Sequence, residues 1–189
     1  MQSVVKTEDR RNLIDKYKGR TVGEIFADLA EKRNDLEIAI ENVEHDFNIG
    51  TIVRSANSFN VAKVHIIGRR KYNRRGAMCT EKYLEVVFWP SVAEFIDDQR
   101  KRKREMVAIE NQVGRAQPLG RKKFVEGVTL VFGSEGNGLS EEMLAGVDDV
   151  REIESFGSTR SVNVGVAAGI AMYEWVRQCV LVNGGAREE

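Results

Sequence analysis

The chain has little of several features that would mark a specialised class of protein. Its 189 residues include only two cysteines, Cys79 and Cys179, which lie far apart and without a histidine cluster. Neither a disulfide framework nor a metal site is therefore expected. No apolar run approaches the ~18 residues of a membrane span, and the polar first residues lack the apolar core of a signal peptide. We expect a cytoplasmic protein with reduced thiols, no metal and no membrane association.

The chain also has no excess of charge of either sign. Lysine and arginine number 29 and so do aspartate and glutamate, which gives a formal net charge of zero. Any attraction to nucleic acid must then come from local basic clusters. Apolar residues make up 42% and charged residues 31%, as in ordinary folded domains. With two prolines and no Gly/Ser-rich linker, the chain reads as one domain with an amino-terminal extension.

Hydrophobic periodicity predicts an α/β fold with a mostly parallel sheet flanked by helices. Thr21 and Glu24 have capping-box spacing at the start of a short helix. After it, strand-like and helical patterns alternate, which favours parallel strand order. We expect strands near residues 38–43, 61–67, 106–109, 128–132 and 150–153, and helices near 49–59, 92–104, from 141 and 162–182. The predicted division is a helical extension at 1–35, a main domain at 36–182 and a tail at 183–189.

Three separated stretches place small and polar residues where a predicted strand gives way to a helix. Residues 48–54 read NIGTIVR, residues 133–140 read GSEGNGLS, and residues 161–168 read SVNVGVAA. The carboxyl ends of parallel strands are where open α/β sheets bind ligands. The ordered set of three therefore predicts one shared site.

The glycine-rich second stretch has competing interpretations. Its spacing reverses the G-x-G-x-x-G dinucleotide fingerprint, and no Gly-Lys-Ser/Thr follows as a phosphate-binding P-loop requires. This disfavours a nicotinamide-dependent oxidoreductase. The glycines are suited to close backbone contact with a small molecule, and a plain strand-to-helix turn is the structural alternative.

The three stretches closely resemble the three motifs of the SpoU/TrmH family of RNA ribose 2′-O-methyltransferases. The likeness runs from about residue 36 to residue 178. That family belongs to the SPOUT superfamily, so the resemblance implies a carboxy-terminal trefoil knot and a homodimer. It also implies methyl transfer from S-adenosylmethionine to a ribose 2′-hydroxyl in RNA. A module that binds or assembles RNA without catalysis, and retains the knot, is the alternative function.

The resemblance also assigns residues by their positions in the motifs. The methyl donor would be held mainly by backbone groups, with apolar side chains flanking its adenine. The donor contacts it implies are Ile109, Gly133, Ile153, Ser161 and Val162. Arg54 is the leading catalytic residue, with Asn48 shaping its loop. Because an arginine stays charged in proteins, we favour electrostatic stabilisation or phosphate-assisted proton removal over a direct role as base.

Three further residues are candidates for the catalytic group. Ser161 and Asn163 would lie at the start of the last helix, and Glu135 would orient Arg54 or a substrate hydroxyl. Each has a structural alternative: a helix N-cap for Ser161, a hydrogen bond in a buried turn for Asn163, and a surface ion pair for Glu135.

RNA contacts are expected from a basic loop after the second strand. Residues 69–75 read RRKYNRR, which combines an aromatic ring with cations suited to phosphates and to an unstacked base. Those cations are Arg69, Arg70, Lys71, Arg74 and Arg75. A solvated loop is the alternative, and the second basic run, residues 100–104, is ambiguous between RNA contact and an exposed helix face. We expect transfer RNA rather than ribosomal RNA as the substrate.

Overall fold

A seven-stranded sheet organises the chain, and every strand pairing among the described residues is parallel. The computed structural model describes residues 9–42, 48–111, 113–134, 136–182 and 184. The strands are β1 (Asn34–Asn42), β2 (Val61–Gly68), β3 (Val86–Trp89), β4 (Glu105–Ile109), β5 (Gln117–Pro118), β6 (Val128–Phe132) and β7 (Asp149–Glu152). They lie in the order β3-β2-β1-β6-β4-β7-β5. The predicted α/β class and parallel sheet are confirmed.

Five α-helices accompany the sheet within the described part of the chain: α1 (Val22–Ala30), α2 (Asn48–Ser58), α3 (Val92–Lys101), α4 (Glu141–Gly146) and α5 (Val164–Val176). A π-helical turn, Arg177–Leu181, continues α5. Short 3₁₀ turns occupy Asp15–Tyr17, Arg75–Ala77 and Thr80–Tyr83. No helix of the described residues is long and apolar enough to cross a membrane.

Apolar layers cover both faces of the sheet. On one face Ile40 and Phe132, which are register partners on β1 and β6, pack in the same cluster as residues of α2 and α5. On the other face Ala39 and Val131, also register partners, pack with residues of α3 and α4. Successive strand residues point to opposite faces, so β1 and β6 are buried on both sides. The carboxyl ends of these two strands are therefore held in the interior of the sheet.

The helical segment before β1 packs on the rest of the chain through a small apolar cluster. Thr21 caps α1 as predicted, accepting from the Glu24 N–H at 3.3 Å and donating its own N–H to the Glu24 carboxylate at 2.7 Å. Tyr17 and Ile25 pack against Tyr83 from the main domain. Strand β1 already begins at Asn34. The division at residue 35 and the tail at 183–189 stay proposals, and of that tail only residue 184 is described.

Several predicted boundaries were wrong by a few residues, and two strands were missed. Helix α3 ends at Lys101 rather than Arg104, because Lys103 adopts a left-handed φ of 56° that turns the chain into β4. Helix α5 begins at Val164 rather than residue 162, and Val43 lies outside the described residues. Strands β3 and β5 are short edge strands, four and two residues long, and are too brief for a periodic signal. The trefoil knot stays a prediction.

Candidate active site

The three motifs meet at one edge of the sheet. Strands β1, β6, β4 and β7 are neighbours, so their carboxyl ends lie side by side. The segments that follow β4, β6 and β7 line a cavity of about 550 Å³, called the donor cavity below. Its lining includes four of the five predicted donor contacts: Ile109, Gly133, Ser161 and Val162. The fifth, Ile153, borders the neighbouring cavity instead.

The second motif folds into a tight loop over the end of β6. Ser134 and Gly138 exchange two backbone hydrogen bonds, of 3.1 and 3.0 Å. A Cβ on Gly133 would lie 2.1 Å from the carbonyl carbon of Gly138, so this turn excludes any side chain at residue 133. Gly138 adopts a φ of +64°, in the left-handed region. The loop therefore presents backbone groups to the cavity.

Two carboxylates at strand ends hold this loop from either side. Glu41, at the end of β1, accepts from the Ser140 N–H at 2.9 Å. Glu110, directly after β4, accepts from the Leu139 N–H at 3.1 Å and lines the cavity. Burial raises the pKa of Glu110, while backbone N–H groups oppose that rise. The sequence analysis did not identify either residue as part of the site. The signal that could have indicated them is an acidic residue at the end of a buried strand.

Asn111 connects the end of β4 to the loop after β7. Its Nδ2 donates to the carbonyl of Ile153 at 2.9 Å, and its Oδ1 accepts from the Ile153 N–H at 3.3 Å. Its Nδ2 also lies 3.2 Å from the carbonyl of Arg160. Ile153 thus supports the donor cavity through Asn111 rather than by lining it. Asn111 too was missed, since a single asparagine carries no spacing signal.

Asn163 joins the third motif to the first. Its Oδ1 caps α5, accepting from the N–H groups of Gly165 at 3.0 Å and Val166 at 3.3 Å. Its Nδ2 donates to Oδ1 of Asn48 at 3.0 Å. The N-cap considered for Ser161 was therefore wrong: the cap is Asn163, and Ser161 is an exposed cavity residue just before it.

Arg54 lies exposed on α2, one helical turn beyond Gly50. Within the described residues it makes no hydrogen bond or ion pair, and it does not line the donor cavity. Arg54, the last residue of the first motif, is therefore exposed to solvent. Glu135, predicted to orient Arg54, lies outside the described residues.

The basic loop packs directly on the first turn of α2. A Cβ on Gly50 would lie 2.8 Å from the carbonyl oxygen of Asn73 and 2.9 Å from the Ala77 nitrogen. On its other side this turn meets α5, because a Cβ on Gly165 would lie 3.3 Å from Cγ2 of Thr51. The start of α2 is thus held between the basic loop and the third motif.

All five predicted RNA-binding cations of this loop are exposed. The Arg70 guanidinium lies 4.8 Å from the ring centre of Phe88, and that of Arg74 lies 5.9 Å from the ring centre of Tyr72. In the second basic run, by contrast, Arg102 and Arg104 both pair with the buried carboxylate of Glu37. Part of that run therefore has a structural role.

The cavity residues fit S-adenosylmethionine by their chemistry. Ile109, Leu139 and Val162 offer apolar surface for an adenine, and Glu110 offers an acceptor for hydroxyl or ammonium groups. Ser134 Oγ is buried and has no hydrogen-bond partner among the described residues. An unpartnered buried hydroxyl is rare in folded proteins and is typical of functional sites. Within the described residues no cluster of three potential metal ligands occurs.

Comparison with known proteins agrees with this geometry. The chain is 25% identical over 177 residues to a tRNA (guanosine(18)-2′-O)-methyltransferase of Thermus thermophilus, covering 92% of this chain and 84% of that protein. It is 30% identical over 149 residues to the 23S rRNA (guanosine-2′-O-)-methyltransferase RlmB of Coxiella burnetii, covering 76% and 58%.

Solved structures share the fold. The TrmH/SpoU tRNA modifying enzyme of A. aeolicus aligns with a TM-score of 0.73 at 24% identity, over 83% of this chain and 81% of that one. The SpoU methyltransferase AviRb of Streptomyces viridochromogenes, in complex with the cofactor AdoMet, aligns with a TM-score of 0.71 at 25% identity, over 83% and 65%. The profile of the SpoU rRNA Methylase family matches residues 35–173. The chain belongs to that family, as its three motifs predicted.

Proposed function

We propose that this protein transfers a methyl group from S-adenosylmethionine to a ribose 2′-hydroxyl of an RNA. The observation that carries the proposal is the Asn163–Asn48 hydrogen bond of 3.0 Å, which joins the donor cavity to the helix that bears Arg54. The donor cavity and the exposed Arg54 are thereby connected through a direct hydrogen bond between their two motifs. The AdoMet-bound structure of AviRb supports the predicted methyl donor.

The donor cavity would hold the cofactor mainly through the backbone. The cofactor supplies a methyl group activated by a sulfonium ion. Gly133 and Gly138 allow the loop backbone to approach closely, and Glu110 with Glu41 keeps that loop in place. The Glu110 carboxylate, a polar side-chain group in the lining, would fix the donor's orientation.

Arg54 would act on the reacting hydroxyl. A ribose 2′-hydroxyl develops negative charge as it attacks, and a fixed cation stabilises that charge. Arginine side chains stay charged in proteins, so the proposed role is electrostatic, with a substrate phosphate available to take the proton. Asn48 and Asn163 would hold the start of α2 in place and so position Arg54. Glu135 and Ser161 remain proposed members of the catalytic group.

Transfer RNA is the proposed substrate. The match to the Thermus tRNA enzyme spans 84% of its length, whereas the match to RlmB spans 58%. The cations of residues 69–75 would contact RNA phosphates next to the first motif. Modification of transfer RNA also fits the predicted cytoplasmic location.

We also propose that the active form is a homodimer through α5. Val166, Ile170 and Tyr173 are spaced four and three residues apart on this helix, and their side chains are 52%, 38% and 54% exposed. Phe156, which is 98% exposed, lines the cavity beside Ile170 and Tyr173. A contiguous apolar face of this kind marks a protein interface. Ile170→Asp should convert the dimer to a monomer in sedimentation experiments without unfolding it.

The test is a methylation assay with labelled S-adenosylmethionine and separate pools of unmodified transfer and ribosomal RNA. We expect label on a 2′-O-methylribose in the transfer RNA pool, identified by mass spectrometry of the nucleosides. Arg54→Ala should lower turnover by about 10²-fold or more, since it removes the charge that stabilises the transition state. Its affinity for the donor, measured by calorimetry, should stay within about twofold.

Arg100→Ala, an exposed arginine on α3, is the matched control and should retain full activity. Full activity of Arg54→Ala would contradict the catalytic assignment. Label in the ribosomal pool alone would overturn the transfer RNA proposal. RNA binding with no donor binding and no label would favour the non-catalytic RNA-binding module.

A further inference from the structure

A second cavity lies on the other side of the first motif from the donor cavity. Its volume is about 460 Å³, and it is lined by Arg70, Lys71, Tyr72, Arg74 and Phe88. It shares no lining residue with the donor cavity. It lies near the carboxyl ends of β2 and β3, at the edge of the sheet that β3 forms.

The walls of this cavity combine anchored aromatic rings with exposed cations. Tyr72 and Phe88 are half-buried and pack against the core cluster that includes residues of α2. Arg70 and Arg74 are exposed and lie over Phe88 and Tyr72 respectively. The rings are therefore held by the core while the charged groups surround the opening.

The loop that forms this cavity contacts the helix that carries the first motif. The loop that forms it packs on the first turn of α2 at Gly50. The third motif meets the same turn through Asn48 and Thr51. An RNA whose ribose lies at Arg54 would therefore extend over this cavity.

We propose that this second cavity binds one unstacked nucleobase of single-stranded RNA. The inference rests on the proposed function, since it takes RNA as the substrate. A phosphate site needs cations only, whereas a base needs a flat apolar or cationic surface on which to stack. Tyr72 and Phe88, with the guanidinium groups over them, supply such surfaces, and Lys71 is placed to contact a flanking phosphate.

The experiment compares two ligands of equal charge and length. One is a single-stranded oligonucleotide of ten uridines, and the other has the same ribose-phosphate backbone with no base at any position. Affinities are measured by fluorescence anisotropy with S-adenosylhomocysteine present to fill the donor cavity. We expect the uridine oligonucleotide to bind at least about fivefold more tightly, and the advantage to rise toward 150-fold with good stacking.

Variants then test whether the tighter binding of the uridine oligonucleotide depends on the rings of this cavity. Tyr72→Leu and Phe88→Leu keep apolar volume against the core but remove the ring, and each should reduce the advantage of the uridine ligand. Tyr72→Phe keeps a ring and should retain it, as should the control Arg100→Ala. Thermal unfolding of each variant verifies that the fold is intact.

Equal binding of the two ligands by the unaltered protein would overturn the inference. So would an advantage that survives Tyr72→Leu and Phe88→Leu together. Neither measurement depends on methyl transfer, so a base-binding protein that methylates no RNA would refute the proposed function alone. Conversely, RNA methylation with an unchanged KM in Tyr72→Leu would refute the base site alone.

Discussion

Residues 69–75 and residues 100–104 each carry five cations, yet the two segments differ in what faces them. Arg70 and Arg74 lie over aromatic rings at the mouth of a cavity. Arg102 and Arg104 instead reach the carboxylate of Glu37, which is 1% exposed and also contacts His65 at 2.8 Å. Basic composition alone therefore does not identify an RNA-binding surface. The deciding feature is whether a buried carboxylate of the same chain neutralises the cations.

The largest effect should come from breaking the ion pair between Arg102 and Glu37. Arg102→Ala removes two hydrogen bonds from Glu37, one of them 3.0 Å long, and leaves a buried carboxylate with fewer partners. Such a loss costs about 3 kcal/mol of unfolding free energy, the low end of the usual range, because His65 and Arg104 remain. Urea unfolding measures it. Arg100→Ala should change stability by less than about 0.5 kcal/mol, and a similar loss in both variants would contradict this assignment.

The second effect is a loss of stability in acid that arises from the same ion pair, because Glu37 becomes protonated. Burial raises the pKa of Glu37, but hydrogen bonds from His65 and Arg102 outweigh it and lower that pKa to about 2 from 4.5. A lowered folded-state pKa stabilises the protein above pH 4.5, and this stabilisation is lost as the pH falls toward 2. The expected loss is on the order of 2–3 kcal/mol.

Measuring the unfolding free energy across this pH range tests whether Glu37 causes the acid-dependent loss of stability. Glu37→Gln should be less stable at neutral pH and should lose this part of the acid dependence. Alanine at Arg74 and Arg75 should leave the acid dependence unchanged. An unchanged acid profile in Glu37→Gln would show that other carboxylates account for it.

How far the sequence predicts this molecule can be seen from particular residues. The strands that carry the motifs follow from apolar runs such as residues 128–132, and the capping box at Thr21 follows from spacing alone. The convergence of Asn48 and Asn163 follows only from parallel strand order together with the family resemblance. Patterns with a fixed period or spacing were predictable because they depend on interactions between residues that are close in sequence.

Contacts between distant residues that depend on strand order were not predictable. Glu110 reaches the Leu139 N–H across 29 residues, and Glu41 reaches the Ser140 N–H across 99. Nothing near either glutamate indicates its partner, because β6 comes to lie between β1 and β4 only in the folded sheet. For the same reason the sequence could not separate the structural run at 100–104 from the exposed loop at 69–75.

The third effect concerns RNA affinity and should leave stability unchanged. Replacing both Arg74 and Arg75 by alanine removes two exposed cations from the proposed RNA surface. The slope of log affinity against log salt should fall by about 1.4, or about 0.7 for each phosphate contact with a single strand, and affinity at moderate salt by roughly tenfold. Filter binding at several salt concentrations measures both quantities. An unchanged slope would mean that this loop does not contact phosphates.

The smallest effect, and the sharpest comparison, comes from exchanging arginine for lysine in each segment. Arg102→Lys keeps the charge but loses the two-pronged contact with Glu37, so stability should fall by about 1 kcal/mol. Arg75→Lys keeps the charge that a phosphate requires, so RNA affinity should stay within about twofold with the same salt slope. Urea unfolding and filter binding on both variants separate the two roles. If Arg75→Lys weakened RNA binding as much as Arg75→Ala does, Arg75 would recognise RNA by the shape of its guanidinium rather than by charge alone.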